Sequence, residues 1–143
     1  MRVSSSKPAE QVAVEEREPD VIVDFVFDHG LLYATVANIG ERPALKVSCR
    51  FEPAFHGLGG TVEISRLPLF RNIEYLAPSK EIRALVDTSA AYFARREPTK
   101  LEVTVTYRDE SGTRRGATIR HDLGIYRDLA YVPPEPRAGD FTD

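Results

Sequence analysis

From Val21 onward the chain repeats with a period of two. In Val21-Ile22-Val23-Asp24-Phe25-Val26-Phe27 the odd positions are all large and apolar. Successive side chains of a strand point to opposite faces, so this pattern predicts a strand with one buried face. Asp28-His29-Gly30 follows, a three-residue loop whose glycine suits a left-handed last position. The chain returns as Leu31 to Asn38, with Leu32, Ala34 and Val36 the inward set. The segment from Asn38 to Pro43 then breaks the strand, because Asn and Gly tolerate positive φ and Pro lacks the donor a central strand requires.

The third strand places Leu45, Val47, Cys49 and Phe51 inward against Lys46, Ser48 and Arg50 outward. A Gly-rich loop, His56-Gly57-Leu58-Gly59-Gly60, leads to a shorter strand with Val62 and Ile64 inward. Ile73 to Leu76 and Ile82 to Val86 read as two more extended pieces. Thr88 or Ser89 caps a short helical turn over Ala90 to Arg96. Leu101, Val103, Val105 and Tyr107 alternate with polar neighbours, Asp109 to Gly112 turns the chain, and Arg114 to Leu123 is the returning strand. Val105 and Leu45 are expected to be buried, on the same or facing sheets.

About seven or eight strands of this kind, joined by turns and one short helical connection, each have one apolar and one polar face. Two antiparallel sheets packed face to face satisfy that pattern. The expected fold is an all-β, immunoglobulin-like antiparallel sandwich over residues 20–132. A barrel is the alternative, and a parallel α/β sheet is excluded because its crossover helices are missing. Residues 1–19 are polar and read as a flexible tail, since they hold too few apolar anchors to offset the entropy of ordering. Residues 133–143 open on Pro133-Pro134-Glu135-Pro136 and read as an extended, Pro-rich tail.

Composition changes this picture little. With 143 residues, 42% hydrophobic and 29% charged, the chain holds one domain with a core of its own. A net charge of −3 is not that of a protein whose main partner is bulk nucleic acid. Cys49 is the single cysteine, so no intrachain disulfide forms, which points to a reducing compartment. The N-terminal stretch has no signal-peptide h-region, and no run reaches the ~18–20 apolar residues that span a bilayer. The chain reads as soluble and cytoplasmic; peripheral association with a membrane complex is the alternative.

Asn38-Ile39-Gly40, then Ala44 and Val47, then Leu76-Ala77-Pro78, then the strand Leu101 to Tyr107 with Asp109 and Gly112 behind it, stand in an order that resembles a known family. The order is similar to that of the bacterial immunoglobulin-like domains related to cell-adhesion-related and fibronectin-like modules. The likeness covers about residues 20–126 and rests on turn chemistry. It implies a sandwich used for spacing, docking or protein contact, and it carries over no catalytic residue.

Candidate chemistry is sparse. His29, His56 and His121 have no pairwise spacing typical of metal ligands. Cys49 falls on the apolar face of its strand and reads as a core thiol. There is no Gly-x-Ser-x-Gly elbow, and Gly57, Gly59 and Gly60 precede a strand rather than a helix, so they form no phosphate cradle. Arg108, Arg114, Arg115, Arg120 and Arg127 gather around the last hairpin without interleaved aromatics and read as a solvated polar face. No Trp is present to stack on a sugar ring.

The expected function is therefore a non-catalytic protein-interaction or accessory structural module, a small subunit of a larger assembly, needing no cofactor. A small ligand- or carbohydrate-binding domain that uses the loops at one end is the alternative. The candidate partner contacts are Phe55 and Leu58 in the Gly-rich loop, Tyr92, Phe93, Arg95 and Arg96 in the helical connection, and Arg114 and Arg115 beside the last turn. Phe55, Tyr92 and Phe93 are read first as plugs for the ends of a sandwich and second as contact anchors. Strand Val21 to Phe27 holds no Pro or Lys and would be poorly protected at a sheet edge, so a tail with an adjacent edge or loop is expected to make the contacts.

Overall fold

A computed structural model describes residues 17–129. The strands are β1 (Val21–Asp28), β2 (Leu31–Asn38), β3 (Ala44–Glu52), β4 (His56–Gly57), β5 (Val62–Glu63), β6 (Ile73–Leu76), β7 (Glu81–Thr88), β8 (Lys100–Arg108) and β9 (Arg114–Asp122). They form a three-stranded sheet in the order β1-β2-β7, a four-stranded sheet in the order β6-β3-β8-β9, and a small β4-β5 ribbon. Every pairing is antiparallel. The protein is an all-β sandwich. Its strands divide between the sheets as in an immunoglobulin-like domain, with β3, β8 and β9 on one sheet, β1, β2 and β7 on the other, and β6 as an added neighbour of β3.

The period of two sets the core. Val21, Val23, Phe25, Leu32, Ala34, Val36 and Val86 face Val47, Cys49, Phe51, Leu101, Val103 and Val105, all of them buried. Each fully buried Val, Leu or Phe contributes about 1.5–3 kcal/mol against an exposed reference. Toward one end the core becomes aromatic. Phe51 meets Phe25, Phe55 and Phe70 edge-on, with ring centroids 6.3, 5.3 and 4.8 Å away. Phe70 comes from the short helix Pro68–Arg71, which the alternation does not predict because it is a single turn with Pro at its start.

Three details depart from the sequence reading. The β1–β2 hairpin closes over two residues, not three: His29 (φ 51°) and Gly30 (φ 81°) are both left-handed, as a type I′ turn requires. Leu45 is only half-buried, because a bulge lies between Leu45 and Ser48 and Lys46 takes a φ of 52°. The extra residue flips the alternation, so Ala44 faces the core in place of Leu45. Ile64 is buried as expected but sits in a 3₁₀ turn, Ile64–Arg66, and Val62 is half-buried.

β1 does lie at an edge, yet that edge is blunted by side chains. His121 Nε2 meets the Val23 carbonyl at 2.8 Å, so that nitrogen must carry the proton. The Tyr126 hydroxyl donates to the Phe25 carbonyl at 3.0 Å, and the Phe25 N–H donates to Asp24 Oδ1 at 2.8 Å. The Tyr107 hydroxyl donates to the Pro19 carbonyl, just ahead of β1, at 3.5 Å. Both expected tails lie largely outside the described residues. The part of the first that is described is tied down: Glu41 N–H donates to the Glu18 carbonyl at 3.1 Å, and Glu18 pairs with Arg115 at 2.9 Å.

Two outcomes test this packing. Val105→Asp puts an unpaired charge between the sheets, which costs several kcal/mol; far-UV circular dichroism should show an unfolded or grossly destabilised chain, and parental melting would refute the register. Burial pushes the Cys49 thiol up to about 12. Its labelling by a disulfide reagent at neutral pH should therefore be at least about a hundredfold slower in native buffer than in denaturant.

Candidate functional site

Most connections that carry unusual residues meet at one end of the sandwich: the β1–β2 turn, the stretch after β3, the helix Ser89–Ala94 after β7, and the 3₁₀ turn Leu123–Tyr126 after β9. That helix starts where the sequence places it, with Thr88 Oγ1 accepting the Ala91 N–H at 3.1 Å. Phe55, Leu58, Tyr92, Phe93, Arg95 and Arg96 all belong to this end. Arg114 and Arg115 belong to the opposite end, beside the β8–β9 turn.

Phe55 and Tyr92 are plugs. Both are fully buried, and the Tyr92 hydroxyl donates to the Pro98 carbonyl at 2.6 Å. Neither side chain reaches solvent to touch a partner. Arg95 is also committed to the fold. It donates to Asp87 Oδ2 at 2.8 Å, to the Ala91 carbonyl at 3.0 Å and to the His56 carbonyl at 3.2 Å, and Glu97 lies 3.5 Å from its Nε. Burial works against ionised Asp87, but the Gly59 N–H, the Arg95 guanidinium and the Thr88 N–H outweigh it and hold the carboxyl below its usual range. Glu97 in turn accepts the His56 N–H at 2.9 Å. Together these groups clamp the Gly-rich loop onto β7. Glycine is required at position 57, where a Cβ would stand 1.9 Å from the Val86 carbonyl oxygen, which accepts the Leu58 N–H. Most of the clamp's polar groups are engaged with one another, while the buried Arg95 Nε has no hydrogen-bond partner among the described residues.

Leu58, Phe93 and Arg96 retain access to solvent, with Leu58 46% exposed. Phe93 forms a wall of an open groove of about 420 Å³, together with Phe27, Leu31 and Leu129. His29 and Arg127 stand at its rim, and the Arg127 guanidinium lies 5.4 Å over the Phe93 ring. Phe27 stacks on Tyr126 at 5.9 Å, which fixes the groove floor. Ile125 and Leu129 are 67% and 51% exposed. Leu31, Arg127 and Leu129 are groove residues that the alternation does not single out, whereas Phe27 ends the alternating run of the first strand. For Leu129 the one signal in the sequence is an apolar side chain persisting after the last strand, as Ile125 also does.

The three histidines stay apart: His29 pairs with Asp28, His56 lies 3.8 Å from Glu97, and His121 caps β1. Among the described residues, no group of three or more His, Cys, Asp or Glu is placed to hold a metal ion.

At the opposite end Arg115 donates to Asp109 at 3.1 Å as well as pairing with Glu18, while Arg114 is exposed. The Ser111 hydroxyl, the Thr113 N–H, Arg115 and the Ser111 N–H lower Asp109 to about 2. A depressed carboxyl stabilises the fold above its unfolded value near ~3.9, and that contribution disappears as pH falls through the folded value. Asp109→Asn should therefore melt below the parent at neutral pH, and the gap should close between about pH 4 and about pH 2. Melting curves across that range check it; a gap that does not change with pH would refute the assignment.

No curated protein and no solved structure matches the chain. A family model described as Domain of unknown function (DUF8453) matches residues 2–127, and the chain belongs to that family.

Proposed function

We propose that the chain is a non-catalytic protein-interaction module, a small accessory subunit that receives an apolar side chain of its partner in the end groove. The observation that carries this reading is the groove itself, with Leu129 in its lining and Ile125, on the adjoining 3₁₀ turn, both in contact with water. Covering large apolar side chains is favourable at about 25 cal/mol per Å². Phe93 under Arg127 supplies the aromatic-and-arginine pairing common at interface centres. The docking role implied by the likeness to bacterial immunoglobulin-like modules agrees with it.

The same groove supports a second reading, a small-ligand site, because its volume falls within the ~300–1,000 Å³ of such sites. Cytoplasmic residence fits the buried single thiol. Among the described residues no helix is long and apolar enough to cross a membrane. Any membrane attachment in this reading comes through the partner.

Ile125→Asp with Leu129→Asp separates the possibilities. Purified from the native host, the parent should carry a partner protein that the double variant loses by at least about tenfold, the loss expected of a disrupted interface anchor. Both chains should melt alike, since both side chains are exposed. Equal partner recovery would remove the groove from the interface. A small molecule retained by the parent in native mass spectrometry, with no protein, would favour the second reading.

A further inference from the structure

β3 is not covered along its whole length. β6 pairs with Ala44, Leu45 and Val47 and stops there, whereas β8 pairs with the other side of β3 from Ser48 to Glu52. Over Ser48 to Glu52, β3 thus has a strand on one side only. Among the described residues, no backbone bond from a loop reaches that stretch. Alternate residues of a strand direct their N–H and C=O to the same side, so the open side carries unpaired donors and acceptors. The bulge before Ser48 and Pro53 after Glu52 bound it.

A groove of about 510 Å³ runs along this open side, between β3 and the segment 63–71. Its floor is apolar: Cys49, Phe51 and Phe70 are 5%, 6% and 0% exposed. Its rim is cationic: Arg50, Arg66 and Arg71 line it. Glu63 answers Arg66 at 3.8 Å, and Glu52 lies at one end. Arg50 and Arg71 are exposed and have no ion pair or side-chain hydrogen bond among the described residues. In a chain of net charge −3, this is a local surplus of guanidinium groups beside a free strand edge.

We propose that the groove is a strand-addition site for an acidic, extended segment of a partner protein. The segment's backbone would complete the β3 ladder. Its alternate side chains would be small and apolar where they pass over the closed base beside Cys49 and Phe51, and acidic toward Arg50 and Arg71, where guanidinium–carboxylate bonds form. The site uses none of the residues of the end groove and stands whether or not that groove holds a partner.

Fluorescence anisotropy with a short labelled peptide of alternating valine and glutamate tests it. Saturable binding is expected. The valine–lysine counterpart should bind at least about tenfold more weakly, as should the same peptide methylated at alternate backbone nitrogens. Arg50→Glu with Arg71→Glu should weaken binding by about tenfold or more and leave melting unchanged, because both side chains are exposed. The chain carrying Ile125→Asp and Leu129→Asp should bind as the parent does. Absence of saturable binding, indifference to peptide charge or to N-methylation, or an unaffected arginine variant would each overturn the proposal. Tighter binding by a chain lacking residues 1–16 would assign the groove to this chain's own segment containing Glu10, Glu15 and Glu16, and would overturn the partner assignment.

Discussion

A sandwich of two open sheets must satisfy the backbone polar groups at its ends and edges, and the rest of this structure depends on how it does so. Interior ladders satisfy themselves; boundaries do not. Asn38 shows the solution at one end. It is fully buried, and its amide donates to the Arg42 and Leu76 carbonyls while its oxygen accepts the Asp20 and Gly40 N–H groups. One side chain thereby ties the start of β1, the β2–β3 turn and the end of β6 together. At the other end Asp87, Arg95 and Glu97 do the same for the Gly-rich loop and β7. Along β1, His121 and Tyr126 reach across from the facing sheet and cap its carbonyls.

These closures use up most of the groups that could have done chemistry. Buried Asp87 stays ionised because a guanidinium and backbone N–H groups hold it, and Asp109 is held the same way at the last hairpin turn. The Tyr92 phenol, pushed up by burial, donates to a carbonyl rather than to solvent. Removing one member would leave its partner buried and unsatisfied, which is costlier than the bond itself is favourable. That asymmetry makes the polar clusters fixtures of the fold.

Among the described residues, the outer edges of β6 and β9 have no strand neighbour, and two further places escape closure. The end groove leaves apolar side chains in water, and the second half of β3 leaves a strand edge unmatched. They differ in physics. The first rewards burial of apolar area and has no directional demand beyond shape. The second rewards a backbone in register with β3 and a charge pattern opposite to its rim.

The alternation of Val21 to Phe27, Val47 to Phe51 and Leu101 to Tyr107 by itself determined the strands and their inward faces, because a period of two leaves one apolar face per strand. It pointed to two packed sheets with a barrel as the alternative, and the strand pairing decided for the sheets. Sequence reading also placed Cys49 in the core and the helix cap at Thr88 or Ser89, of which Thr88 takes it. Tertiary structure alone decided the rest. Leu45 turned partly outward because a bulge inserted one residue, and no propensity marks Lys46 for a left-handed conformation. Phe55 and Tyr92 were open to either role, plug or contact anchor, until the aromatic cluster and the Pro98 carbonyl claimed them. The open side of β3 depends on where β6 stops pairing, a long-range property of two segments that local periodicity does not encode.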